Sequence, residues 1–251
     1  MRLFTVSDLH IDHTENLTWL KQLSRSDYTD DVLILAGDIA DEAALLRWSL
    51  QHLAARFKKV LFVPGNHDLW TIRSEREPSF DKFAAIQAMC RDADIGMQAY
   101  RFGATLIVPL LGWYDQSFGV PSRQLRAAWM DFRACNWEGR DDDEVSGLFD
   151  AMNPEPDTAG AARVVTFSHF LPRIDLMPDS MPSKYHYLYP VFGSLRLERR
   201  LRALGSSMHI YGHSHLNRRV RIDGVTYINN AFAYPTEARI AAKVLLQLNA
   251  A

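Results

Sequence analysis

Five short polar motifs in the 251-residue chain combine the residue types that hold divalent metals. Asp8-Leu9-His10 follows an apolar run at residues 3–6. Side chains two apart on an extended backbone share a face, so both can reach one point. Gly37-Asp38 follows the run at 32–36, and Gly65-Asn66-His67-Asp68 follows the run at 60–63. His169 comes after 163–167, and Gly212-His213-Ser214-His215 after 207–211. Taken singly, His10 or His169 reads as a hydrogen-bonded structural histidine, and Gly37-Asp38 as an ordinary turn. As an ordered set at five strand ends they read as a metal site. Oxygen and imidazole ligands without thiolate suit Mn, Fe, Co or Zn.

These motifs need a frame that brings strand ends together. The runs at 3–6, 32–36 and 60–63 are brief and rich in Val, Leu and Phe, as buried parallel strands are. Leu46, Leu50, Leu53 and Phe57 recur at helical spacing after Asp41-Glu42. Alternating strands and helices imply parallel strands with a ligand crevice at their carboxyl ends. Residues 99–102 and 105–110 form an expected hairpin around Gly103-Ala104. Residues 113–160 read as a helical insertion followed by a loop, with the acidic run 141–144 as a solvated face or helix start. The segment 171–190, with four prolines and three tyrosines, reads as a lid. Leu197, Leu201 and Leu204 suggest a helix, Asp223-Gly224 a second hairpin, and residues 241–248 a closing strand. No repeat or boundary divides the chain, so residues 1–251 are expected to form one domain.

Composition excludes other classes. With 28 Lys+Arg against 30 Asp+Glu, bulk charge gives no drive toward nucleic acid or anionic membranes. Cys90 and Cys135 cannot build a disulfide framework. The N-terminal apolar run is too short for a signal peptide. The longest apolar stretches, such as 106–111, fall far short of the ~20 residues that span a bilayer. A cytoplasmic protein with no membrane partner is expected, and nothing in the sequence names a protein partner.

The ordered blocks Asp8-x-His10, Gly37-Asp38, Gly65-Asn66-His67-Asp68, His169 and Gly212-His213-x-His215 resemble the calcineurin-like metallophosphoesterase superfamily. All five are present, spanning residues 8 to 215. The resemblance implies an α/β fold, a four-layer α/β/β/α sandwich of two mixed sheets flanked by helices, with two divalent or trivalent ions (Mn, Fe, Zn or Co) at one edge. It assigns Asp8, His10, Asp38 and His215 to one ion, and Asp38, Asn66, His169 and His213 to the other. A shared Asp38 offsets the repulsion of two close cations, and water bridging them is acidified enough to act as hydroxide. His67 is left off the metals, to bind a phosphoryl oxygen and protonate the departing alkoxide. Asp68 resembles the carboxylate that orients that imidazole, the plainer reading being a cap for the segment at Leu69.

The expected function is phosphoester hydrolysis, and departures from the superfamily's branches narrow the substrate. Its phosphoprotein phosphatases place an arginine where this chain has Glu42, so a clamp for a phosphate dianion is missing. Its lipid-A precursor pyrophosphatases carry arginine in place of His67. Its cyclic-nucleotide phosphodiesterases share Gly-Asn-His-Asp. A small diester or phosphoanhydride is therefore the expected substrate. Position nominates Asn66, Trp70, Trp113, Tyr114 and His186 as substrate contacts, because aromatics beside a phosphate site stack on flat groups; core packing is the competing reading for each aromatic. A nuclease would need a basic groove that the scattered arginines do not form, and a non-catalytic scaffold would show eroded ligands, whereas none is missing.

Overall fold

The early apolar runs form strands because both of their faces are covered. The computed structural model describes residues 2–74 and 76–248. In it β1 (Leu3–Val6), β2 (Val32–Ala36) and β3 (Lys59–Val63) are parallel neighbours, with α1 (Thr14–Gln22) and α2 (Ala43–Ala54) between them and α3 (Ser79–Asp92) after them. The hairpin of β4 (Tyr100–Phe102) and β5 (Thr105–Pro109) opens a second sheet. An insertion with α4 (Arg123–Ala128), α5 (Asp131–Ala134) and α6 (Asp142–Met152) follows. Then come β6 (Arg163–Phe167), α7 (Leu195–Ala203), β7 (Met208–Tyr211) and the hairpin of β8 (Arg218–Ile222) with β9 (Val225–Asn229). Last, β10 (Leu246–Leu248) pairs antiparallel with β1. The sheets run β10-β1-β2-β3 and β4-β5-β6-β7-β9-β8, parallel within and antiparallel only at their edges.

Alternation along each strand builds the layers. Val32, Ile34, Ala36, Leu61 and Val63 face Ile107, Val165, Phe167, Met208 and Ile210 across the sheet-sheet interface. The intervening Leu33, Leu35, Val60 and Phe62 pack outward, in one cluster with Leu20, Leu46, Leu50, Leu53, Phe83 and Ile86 from the first three helices. On the second sheet Leu106, Val108 and Val164 belong with Val145, Phe149, Leu197 and Leu201 from α6 and α7. Each such aliphatic side chain contributes roughly 1.5–3 kcal/mol when fully buried. Two mixed sheets flanked by helices result. Ser7, just past β1, bridges Ala231, just past β9, and so joins the two sheets at the edge where the motifs lie.

The acidic run starts α6 as a capping box: Asp141 accepts from the Glu144 backbone N–H, and the Glu144 carboxylate accepts from that of Asp141, both at 2.9 Å. Three expectations shift. Phe57 is buried but lies beyond the end of α2. Only 246–248 of the closing segment is strand. The proline-rich segment 171–190 holds 3-10 turns at Ile174–Leu176 and Ser183–Val191. Helix α3 was not anticipated, although Phe83, Ile86, Met89 and Cys90 carry its buried face at helical spacing.

Candidate metal centre

The motif residues occupy backbone that ordinary side chains avoid. Asp8, His10, Asp38, His213 and His215 all have positive φ, between 41° and 66°. Left-handed backbone at non-glycine residues stores strain and persists only where surrounding structure fixes it. Here that structure is a set of crossings between strand ends. Asp8 N–H donates to Gly37 O at 2.8 Å, His10 N–H to Asp38 O at 3.1 Å, and His213 N–H to Asp8 Oδ1 at 3.0 Å. Asp8 and His10 therefore converge through two left-handed residues, not through the extended alternation expected of them. Glycine is required where ligand side chains graze backbone. A Cβ on Gly65 would collide with the Asp38 carboxylate, and one on Gly212 would stand 2.7 Å from Asp8 Oδ2.

Seven polar side chains from the five motifs meet at this edge, and all but the half-buried His215 are buried. His169 Nε2 lies 3.2 Å from His213 Nδ1, 3.0 Å from Asn66 Oδ1 and 3.4 Å from Asp38 Oδ2. On the other side of Asp38, His10 Nε2 is 3.1 Å from His215 Nε2 and 3.8 Å from Asp38 Oδ2, and His215 Nε2 is 3.3 Å from Asp8 Oδ1. The outward nitrogens are already committed. His169 Nδ1 donates to Ala36 O, His213 Nε2 to Val191 O and His215 Nδ1 to Glu237 Oε2, at 3.0, 3.0 and 2.7 Å. Inward lone pairs therefore face one another and the carboxylates, an arrangement that needs positive charge between them.

The electrostatics agree. Burial opposes a charge on His169, yet the adjacent Asp38 carboxylate outweighs it and holds the imidazole at about 9. His215 is likewise held at about 10, against burial, by Asp8 and Glu237. Burial would raise Asp8, but His215 brings it down to about 2. The carboxylates thus favour positive charge at these imidazoles, the charge that a cation would supply in place of protons. Three groups each have their donor atoms within 4.8 Å of one another: Asp8, His10 and His215; Asp38, His169 and His213; and His10, Asp38 and His67. Ligands at about 2.0–2.3 Å from a common ion require that spacing or less. The donor set fits divalent cations on both sides of Asp38.

His67 borders this cluster, its ring 4.6 Å from that of His10. Its Nδ1 donates to Asp41 Oδ1 at 2.8 Å, and Trp70 stacks on it at 3.6 Å. Burial pulls His67 down, but Asp38 and Asp41 raise it above the ordinary histidine range. Asp68 does not touch the imidazole, contrary to expectation. Its carboxylate accepts from the backbone N–H groups of Asp38, Ile39, Ala40 and Gly65 at 2.8–3.2 Å, tying the second motif to the third. Nor does it cap the turn at Leu69.

The insertion reaches the site through Asp131, which no motif marks in the sequence. Asp131 accepts from Asn66 Nδ2 at 2.9 Å, Trp70 Nε1 at 2.7 Å, Trp129 Nε1 at 2.7 Å and the Tyr114 hydroxyl at 3.3 Å. It turns the Asn66 carbonyl oxygen toward His169. Trp113 and Tyr114 are corrected: both are fully buried, Trp113 donating to Asp142 at 3.3 Å and Tyr114 to Asp131. A strand end followed by two aromatics carried no signal of which way they turn. His186 is corrected too. It is exposed, faces Met181 O at 3.2 Å and stacks on Tyr189, while its neighbour Tyr185 lines the cavity over the ligands. Tyr234, not anticipated, packs on His10 and His215 and places its hydroxyl 3.3 Å from His67 Nε2.

Known proteins share this architecture. The acyl-carrier-protein phosphodiesterase PptH of Mycobacterium tuberculosis is 28% identical over 263 residues, covering 94% of this chain and 79% of the relative. The crystal structure of the phosphopantetheinyl hydrolase PptH from the same organism superposes with a TM-score of 0.79 at 25% identity, covering 98% of this chain and 95% of that one. The family model described as calcineurin-like phosphoesterase matches residues 1–217. With the motif blocks, the two-sheet fold and this match in agreement, the chain belongs to the calcineurin-like phosphoesterase family and is a phosphoester hydrolase.

Proposed function

We propose that the protein is a metal-dependent phosphodiesterase acting on a phosphopantetheine-type diester, in which a flexible uncharged chain is joined through phosphate to an alcohol of a carrier protein. The observation that carries the phosphoesterase reading is His67, oriented by Asp41 at 2.8 Å beside the convergent ligands. The macromolecular substrate is supported by the named activity of the relative, and it broadens the sequence expectation of a small-molecule ester alone. Asp8, His10, Asp38 and His215 would hold one ion, and Asp38, Asn66, His169 and His213 a second, drawn from Mn, Fe, Zn or Co. When bound, such ions stabilise charge on phosphoryl oxygens and acidify water.

Hydrolysis adds water across one P–O bond and yields a monoester and an alcohol. His67 Nε2 supplies the proton to the departing alkoxide, while Asp41 fixes the tautomer from the opposite nitrogen and Trp70 holds the ring plane. A dianionic monoester would need added positive charge, but the nearby Arg73 is paired with Asp41 at 3.4 Å. That favours the singly charged diester. We assign the activity to residues 1–251 as one domain working in the cytoplasm; no helix among the described residues is long and apolar enough to cross a membrane.

The test compares an aryl phosphodiester, an aryl phosphomonoester and a phosphopantetheinylated carrier protein, with Mn added. The proposal expects turnover of both diesters and at least tenfold less of the monoester. A preferred monoester, or single-stranded DNA cleaved as fast as the diesters, contradicts it.

A further inference from the structure

Two cavities open on the centre and meet at one pair of side chains. The Tyr234 hydroxyl and His67 Nε2 stand 3.3 Å apart, and both residues line both cavities. A phosphodiester has two arms, and each cavity could take one. One measures about 470 Å³ and the other about 710 Å³, within the range of pockets that hold small ligands.

Their walls differ in chemistry. Past the ligand side chains, the smaller cavity is enclosed by Trp129, Met177, Met181, Leu188, Phe192 and Ile240. Among the described residues its one further carboxylate, Glu237, is taken up by His215 Nδ1 at 2.7 Å and the Tyr234 N–H at 2.9 Å. The larger cavity is bordered by Asp12, Glu15, Asp41 and Arg73. An apolar chain laid against those charges would strip their water without replacing it. Against the apolar walls the same chain is favoured, and methionines adapt to a flexible guest. Among the described residues, an ionic arm in the smaller cavity would find no uncommitted charged partner beyond the phosphate position, only the Tyr185 and Ser214 hydroxyls.

On the phosphodiesterase reading above, we propose that the smaller cavity, walled by Trp129 and residues 177–192, is the subsite for the uncharged arm of the diester, a chain of the pantetheine kind with branched hydrocarbon, amides and a neutral thiol. The macromolecular arm then lies on the side of Asp41 and Arg73. This gives the proline-rich segment its role: it forms the specificity wall.

Leu188→Trp and, separately, Met181→Trp fill the smaller cavity, while Thr236→Trp encroaches on the larger one. For each, kcat/KM is measured on the phosphopantetheinylated carrier protein and on bis(p-nitrophenyl) phosphate, and their ratio taken. The subsite predicts that the two cavity-filling variants lower the ratio roughly tenfold or more. It also predicts that free pantetheine competitively inhibits aryl diester hydrolysis by the parent, and that this inhibition weakens in both variants. An unchanged ratio with undiminished pantetheine inhibition overturns the subsite, as does a loss of pantetheine inhibition in Thr236→Trp as large as in the two cavity-filling variants. Should the parent turn over neither diester, the phosphodiesterase reading itself fails; pantetheine inhibition needs only aryl diester turnover and so isolates the subsite.

Discussion

His67 donates its Nδ1 proton to Asp41, not to its sequence neighbour Asp68. The two carboxylates divide what one was expected to do: Asp41 orients the imidazole, and Asp68 joins two ligand loops. An imidazole held from Nδ1 presents Nε2 to substrate, so removing the carboxylate charge weakens proton donation without removing the donor. Asp41→Asn should lower kcat for an alkyl phosphodiester roughly 10–100-fold, and much less for an aryl diester whose leaving group needs no proton. Equal losses on both substrates would remove Asp41 from proton transfer.

Asp68 is a stability residue on this account. It is fully buried and accepts from four backbone N–H groups. Burial and the nearby Asp38 raise its carboxyl to about 6, although those donors favour the anion. Asp68→Ala orphans the donors and should cost about 3 kcal/mol or more in urea unfolding. His67→Ala, at a half-buried ring, should cost far less stability and keep its metal, but lose roughly 10²–10⁴-fold in turnover of an alkyl diester. A stable Asp68→Ala, or a His67→Ala with parental turnover, would reverse these roles.

On the ligand assignment proposed above, Asp131 would act on the metals through Asn66. Without it the Asn66 amide is free to rotate and present its NH2 to His169. Asp131→Ala should weaken metal affinity about 10–100-fold, measured by titration of the metal-stripped protein. Unchanged affinity would show that Asn66 is held by other means or binds no metal.

His209 sets an acid limit on the fold, away from the ligands. It is fully buried between the Thr166 and Ser168 hydroxyls, at 2.8 and 3.0 Å, and burial pushes it down to about 3. Its folded pKa lies below the ordinary 6.5, so the unfolded chain binds the extra proton. The stability it confers is present in full above pH 6.5 and is lost as pH falls toward 3. By pH 5 the loss is about 2 kcal/mol. Urea midpoints between pH 7 and 5 should fall less steeply in His209→Gln than in the parent; parallel slopes would exclude His209 as a source of the acid sensitivity.

What was legible in the sequence was local. The runs at 32–36 and 163–167 coincide with β2 and β6 because both faces of each strand are buried. The five motifs mark strand ends because strand punctuation and ligand type are adjacent in the chain. Asp41 and Asp131 were missed because their partners are distant: His67 lies 26 residues from Asp41, and Asn66 lies 65 residues from Asp131. Neither carboxylate differs in sequence from a solvated helix-start acid. The left-handed backbone at Asp8 and His213 was equally hidden, since a crossing between residues 205 apart sustains it. Trp113 and Tyr114 share with Trp70 the position after a strand, but only Trp70 turns toward His67.

If Asp38 is shared by two cations on which diester hydrolysis depends, its amide variant loses metal and turnover together. The most direct measurement is metal stoichiometry alongside aryl phosphodiester turnover, for parent and Asp38→Asn, after chelation and reloading with Mn. A shared Asp38 predicts two ions per parent chain, activity lost on chelation and restored on reloading, and an Asp38→Asn protein deficient in both metal and turnover. A chelated parent that stays active, or an Asp38→Asn protein that binds two ions and hydrolyses the diester at the parental rate, would contradict it.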